Sequence, residues 1–165
     1  MVTAAHPKSN SADTFRLVQA LDSLGCSGRA VVMQAHQEAY HYASHYLGTA
    51  HLLLALMSDG SCPITTGLQA RGAGLEVIRR RFEQYIHARA DQRARVVHLA
   101  YSPYARSVLI GAAGRAHSAA TATAPEHLWW AMSGARRSVA AQLLAGLGQL
   151  GYLQRASAEA CPGGS

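Results

Sequence analysis

Residues 47–57 read LGTAHLLLALM, and residues 123–132 read TAPEHLWWAM. Each places a polar turn and a histidine directly before a short apolar run, and His51 and His127 stand 76 positions apart. What surrounds them is duplicated too. A long helix, a turn, a short apolar helix and a third helix are expected once, and then in the same order again. An αα unit of this kind cannot bury its apolar face alone, whereas two copies bury each other's. The stretch therefore predicts one all-α domain with pseudo-twofold character and about eight helices.

Composition and period agree. Alanine, leucine, arginine and glutamine dominate and β-branched runs are rare. A first helix is expected from Ser11 or Asp13 to about Ser23, striped by Leu17, Leu21 and Leu24, with Gly25 and Gly28 as breaks. A second should run from Arg29 to His45, with Val31, Ala35, Ala39 and Tyr42 inward. Thr49 is the expected N-cap of a third, His51 to Ser58. Pro63 suits the first turn of a fourth, to Ala70. A long amphipathic helix should cover Leu75 to Arg93. Residues 96–103, VVHLAYSP, read as an extended connection. Ser102 should then cap a helix to His117, Pro125 open another to Met132, and Ser138 cap SVAAQLLAGL, followed by a short tail helix. Residues 1–10 are expected to be disordered and 161–165 to be a flexible tail.

The 165 residues, 49% hydrophobic and 15% charged, suffice for one domain with a real core. No apolar run is long enough to span a membrane, and the first residues lack the apolar region of a secretory signal. A cytoplasmic protein is expected. Cys26, Cys62 and Cys161 are odd in number and form no C-x-x-C pair, which argues against disulfides or zinc. The net charge is +6, concentrated between Arg79 and Arg95. A solvated helix face explains that run better than nucleic acid does.

Three stretches carry a resemblance. QEAYHYASHYLGTAHLLLAL (37–56), AYSPYARSVL (100–109) and SVAAQLLAGLG (138–148) resemble, in order, signatures of the Clp amino-terminal repeat. Repeat one would occupy about 25–93 and repeat two about 101–158. The resemblance implies the domain that receives substrates and adaptor proteins in Clp-type unfoldases. In some bacterial members it binds phosphorylated arginine or cyclic-peptide antibiotics. The chain has no G-x-x-x-x-G-K-[ST] loop for a nucleotide triphosphate, so a stand-alone module without the motor is expected.

In phosphoarginine-binding members each repeat supplies a threonine and a glutamate. Matched by position, repeat one has Gly25 and Ala50, both losses, unless Cys26-Ser27 shifts the alignment. Repeat two keeps Ser102 and Glu126, so a half-site is expected there. Those residues also suit plain helix-start roles, Ser102 as a cap and Glu126 toward the helix dipole. The resemblance also places Tyr101 in a peptide groove with Arg106 about a turn later, while Leu21 stands where relatives carry a second aromatic. Of Trp129 and Trp130, adjacent on a helix, one should fill the core and the other face a contact surface.

His41 and His45 have ligand spacing but no third ligand, and no nucleophile–base set stands out. No metal, cofactor or enzymatic activity is expected. The expected partners are a peptide or cyclic peptide, or Clp unfoldase and protease components and their substrates. The module would act as adaptor, competitor or decoy. A homodimeric interaction protein with a relic pocket is the alternative, with nucleic-acid binding through the arginine-rich helix behind it.

Overall fold

A computed structural model describes residues 11–87 and 100–163. Those residues form α1 (Ser11–Asp22), α2 (Cys26–His41), β1 (Tyr46–Leu47), α3 (Thr49–Ser58), α4 (Pro63–Ala70), α5 (Leu75–His87), β2 (Ala100–Tyr101), α6 (Pro103–Ser118), α7 (Pro125–Gly134), α8 (Val139–Gly146) and α9 (Leu150–Ala160). The all-α class and the duplication stand. The tail helix is a full three turns, which brings the described helices to nine.

Helix ends make the duplication visible in the backbone. α2 and α6 both end on an alanine in the left-handed region, Ala43 at φ 49° and Ala120 at φ 53°. α4 and α8 both end on glycine, Gly72 at φ 82° and Gly148 at φ 71°. Each of the four ends closes with a six-to-one hydrogen bond back to the last turn, as from Ser44 N–H to Ala39 C=O at 2.9 Å and from Thr121 N–H to Ala116 C=O at 3.0 Å.

Helix starts are duplicated as well. His51 Nδ1 accepts the Gly48 N–H at 2.9 Å, and His127 Nδ1 accepts the Ala124 N–H at 3.0 Å. Each histidine reaches back from the first turn to satisfy the backbone just before it, as a Glu or Gln does in a capping box. That is why both copies of the phrase carry a histidine before the apolar run. Ser102 caps α6 by accepting Ala105 N–H, and Ser138 caps α8 by accepting Ala141 N–H, both at 3.2 Å.

Thr49 does not cap its own helix. Gly48 holds that position with extended backbone. The Thr49 hydroxyl accepts Ala140 N–H at 3.2 Å instead, so it satisfies the first turn of α8 in the other repeat. Two features of α2 also depart from the expectation. Gly28 lies inside α2, because the Thr123 carbonyl crosses where its Cβ would be. α2 ends four residues early because Ala43 turns left-handed. The expected run of α5 beyond His87 lies outside the described residues, as do 96–99 of the extended connection.

The core centres on α3. Every residue from Thr49 to Met57 is buried, as an all-round apolar helix demands. Its leucines, Leu52, Leu53, Leu54 and Leu56, are fully enclosed, each stabilising the fold by about 1.5–3 kcal/mol. Trp129 from α7 is 0% exposed. Trp130 is half-buried under Arg115, whose guanidinium carbon sits 4.9 Å from the indole. Arg115 also donates to the Cys161 carbonyl, and Cys161 is buried, so the ordered fold runs past the expected start of the tail. Of the residues expected inward on α5, Ile78 and Phe82 are buried and Val77 is 36% exposed.

Candidate functional site

The two repeats meet through crossed parallel pairings. β1 pairs with β2, Tyr46 with Ala100 and Leu47 with Tyr101. Leu24 forms a parallel bridge with Thr123. Each pairing sets the start of a first-position helix from one repeat beside the start of a second-position helix from the other. The first junction therefore joins α6 to α3, and the second joins α2 to α7.

Tyr101, Ser102 and Arg106 all lie at the first junction. Ser102 N–H donates to Leu47 C=O at 2.9 Å, and Arg106 Nε–H donates to Tyr101 C=O at 3.2 Å. The Tyr101 hydroxyl is engaged with His36 Nε2 of α2 at 2.8 Å, the rings edge to face. Burial raises the Tyr101 phenol above its ordinary range and lowers the His36 imidazole. Tyr101, Ser102 and Arg106 are half-buried here. Ala50 is 3% exposed, and the Thr49 hydroxyl is committed to α8.

Glu126 belongs to the second junction. It lines a cavity of about 390 Å3 with Ser27, Asp59, Cys62, Pro63 and Ile64. The expected half-site of Ser102 with Glu126 is thus not assembled, because the crossed pairings deliver the two to different junctions. Each junction keeps one member of the pair that the resemblance implies. Ser102 faces the helix that bears Ala50, and Glu126 faces the start of α2, capped by Gly25 and opening with Cys26 and Ser27. Leu21 is half-buried against the core on α1 and lines neither this cavity nor its rim.

The second junction is acidic. Asp59 Oδ1 accepts the Ser61 N–H at 3.1 Å and its hydroxyl at 2.6 Å, which fixes the carboxylate at the end of α3. Cys62 is the N-cap of α4, the place Ser138 holds in repeat two. Burial pushes its thiol up; the Ile64 and Thr65 N–H groups oppose that, and the Glu126 and Asp59 charges add to it. Burial likewise raises Cys161, again with Glu126 contributing. Two carboxylates without a basic neighbour among the lining residues suit a cationic side chain. Asp59 and Cys62 carry no motif of their own. Only the equivalence of Cys62 with Ser138 hints at a shared place.

One arrangement resembles a nucleophile–base pair. Ser44 Oγ and His51 Nε2 are 2.9 Å apart. But His51 Nδ1 accepts a backbone N–H, so Nε2 carries the proton and donates to Ser44. It has no lone pair with which to activate that hydroxyl. Burial lowers the His51 pKa to about 4, against a smaller raising effect of Glu38. The ring is a buried neutral strut.

Among the described residues no group of three or more His, Cys, Asp or Glu side chains could hold a metal ion, and no helix is long and apolar enough to cross a membrane. A structural relative is the "N-terminal domain (1-163) of ClpV1 ATPase from E.coli EAEC Sci1 T6SS", with a TM-score of 0.61 and 17% identity over 94% of this chain and 100% of that one. At that identity the likeness is one of fold. The sequence model of the Clp repeat (R) N-terminal domain matches residues 27–147. Duplicated helix ends, crossed pairings and that match agree: the chain belongs to the Clp repeat N-terminal domain family.

Proposed function

We propose that the chain is a non-catalytic module that receives a peptide or protein partner, and that it does so at the Glu126 junction by taking a basic side chain. The observation that carries this reading is the contrast between the junctions. At one the glutamate position holds Ala50, 3% exposed and without a carboxylate, and the other opens into a cavity of about 390 Å3 bearing Glu126 and Asp59. A guanidinium or ammonium entering there finds two carboxylates, and its stem finds Pro63 and Ile64. Domains of this family bind substrates and adaptors, which supports a protein partner. In a cell the module would serve as an adaptor, or as a competitor for a Clp unfoldase.

A decoy for cyclic peptides draws less support. Tyr101, the aromatic such a ligand would use, is held by His36, and Leu21 offers no second ring. The dimeric alternative draws on an exposed tryptophan and on the altered first repeat; Trp129 is buried, and Trp130 is half-buried under Arg115. Calorimetric titration with matched peptides tests the reading. The peptides carry arginine, phosphoarginine or citrulline at one position, with a cyclic peptide as a further arm. Binding of the arginine peptide and loss with citrulline are expected. Equal binding of arginine and citrulline peptides, or none of either, defeats the proposal.

A further inference from the structure

A second polar depression lies on the outer face of repeat one, between α2 and α5. It has a volume of about 440 Å3 and is lined by Gln34, Gln37, Glu38, His41 and Arg79. None of these residues lines the Glu126 cavity. Its floor is a charged pair. Arg79 Nη1 donates to Glu38 Oε2 at 2.7 Å, and Nη2 donates to Oε1 at 2.9 Å. Glu38 is 5% exposed.

The hydrogen-bond inventory of that pair is uneven. A guanidinium has five N–H groups. Both on Nη1 are spent, one on Glu38 and one on the Tyr42 hydroxyl at 3.0 Å. One on Nη2 is spent on Glu38. The second N–H of Nη2 and the Nε–H have no acceptor among the described residues. These two point side by side from one flank of the guanidinium, which is the spacing a carboxylate matches with its two oxygens. Glu38 cannot supply them, since it faces the opposite edge, between Nη1 and Nη2, where it also receives the Gln34 amide at 3.3 Å. Gln37 and His41 add polar groups at the rim.

We infer that this depression is a carboxylate-binding site, with Arg79 as the anchor and Glu38 as the residue that grips its guanidinium end-on and leaves the Nε–Nη2 flank to the ligand. A neutral amide has one oxygen for two parallel donors and is the poorer fit. A phosphate dianion would set two charges at the donors, beside Glu38 and near Glu83, which accepts from Tyr42 at 2.9 Å, where a carboxylate sets one; the like-charge cost rises with the charge placed there. The carboxylate comes either from a free small acid or from an acidic side chain of a partner.

The Arg79 Nε–H resonance reports the site directly in a nitrogen–proton correlation spectrum of the full chain. The probes are sodium glutarate, a capped neutral peptide with a single glutamate, the same peptide with glutamine, and inorganic phosphate. The Arg79 signal is expected to move with glutarate or with the glutamate peptide, and to stay with the glutamine peptide. Movement with glutarate identifies a free-acid site, and movement with the peptide alone identifies a partner's side chain. Arg79→Lys keeps the charge but loses the fork, and should weaken binding roughly tenfold or more. Gln37→Ala, at an exposed rim position, should weaken it less and leave the fold intact. An Arg79 signal that no carboxylate moves, or that phosphate or the glutamine peptide moves as well as glutarate does, overturns the inference.

Discussion

His51 should make the fold sensitive to mild acid, by an amount the structure sets. Its Nδ1 accepts the Gly48 N–H, so a proton there would confront a donor with a donor, in a site that is 4% exposed. Burial lowers its pKa from 6.5 to about 4. A group whose pKa is lower in the folded state binds its proton more readily when unfolded. Full stability is therefore present above pH 6.5 and is lost as the pH falls toward 4. At about 1.36 kcal/mol per tenfold change in proton affinity, the whole interval is worth roughly 3 kcal/mol, and the part between pH 7 and pH 5 about 2 kcal/mol. The Glu38 carboxyl, which Arg79 holds below the ordinary range, contributes stability that is lost only as the pH falls below about 4.3, outside this window. Urea unfolding at pH 7 and pH 5 of the wild type and of His51→Gln measures the effect. Glutamine keeps an acceptor for Gly48 but cannot titrate. The variant should be less stable at pH 7, since it loses the edge-to-face contact with Phe82, and the gap should narrow by about 2 kcal/mol at pH 5. A gap that stays constant would refute the assignment of His51 as a buried neutral cap.

Ala43→Gly and Ala120→Gly should each raise stability by about 0.5–1 kcal/mol, because both alanines sit in the left-handed region; thermal unfolding would show it, and a drop would contradict the strain. Gly28→Ala should lower stability by about 1–3 kcal/mol, since the new methyl meets the Thr123 carbonyl of the other repeat; an unchanged midpoint in urea would mean that this crossing is loose. Glu38→Gln should cost about 3 kcal/mol in chemical unfolding, because it leaves the Arg79 charge without its carboxylate in a largely buried place. A loss below about 0.5 kcal/mol would show an ion pair no stronger than an exposed one.

The repeated phrase made the class legible, because a duplicated apolar period survives any local misreading. Errors fell where a residue's role depends on the other repeat. Thr49 looks like a cap, and it is one, but for α8 across the junction. Gly28 looks like a break and instead leaves room for a carbonyl 95 positions away. Ala43 is the local exception: within its own repeat it ends α2 in a conformation that alanine does not advertise. The site suffered for the same reason. Transferring residues repeat by repeat joined Ser102 to Glu126, whereas the pairings of Leu47 with Tyr101 and of Leu24 with Thr123 cross between repeats. No local window contains that crossing, nor does one bring Asp59 and Cys62 to Glu126.

The central claim is that the junction bearing the Glu126 carboxylate, and not the one at Ser102, receives the partner. Affinity for an arginine-bearing peptide, measured side by side for the wild type, Glu126→Gln and Ser102→Ala, tests it most directly. Removing a charge-assisted contact should weaken Glu126→Gln by roughly 10- to 100-fold. Ser102→Ala should bind as the wild type does, after a cap loss of about 1 kcal/mol in stability. Full affinity in Glu126→Gln, with loss in Ser102→Ala, would contradict the account.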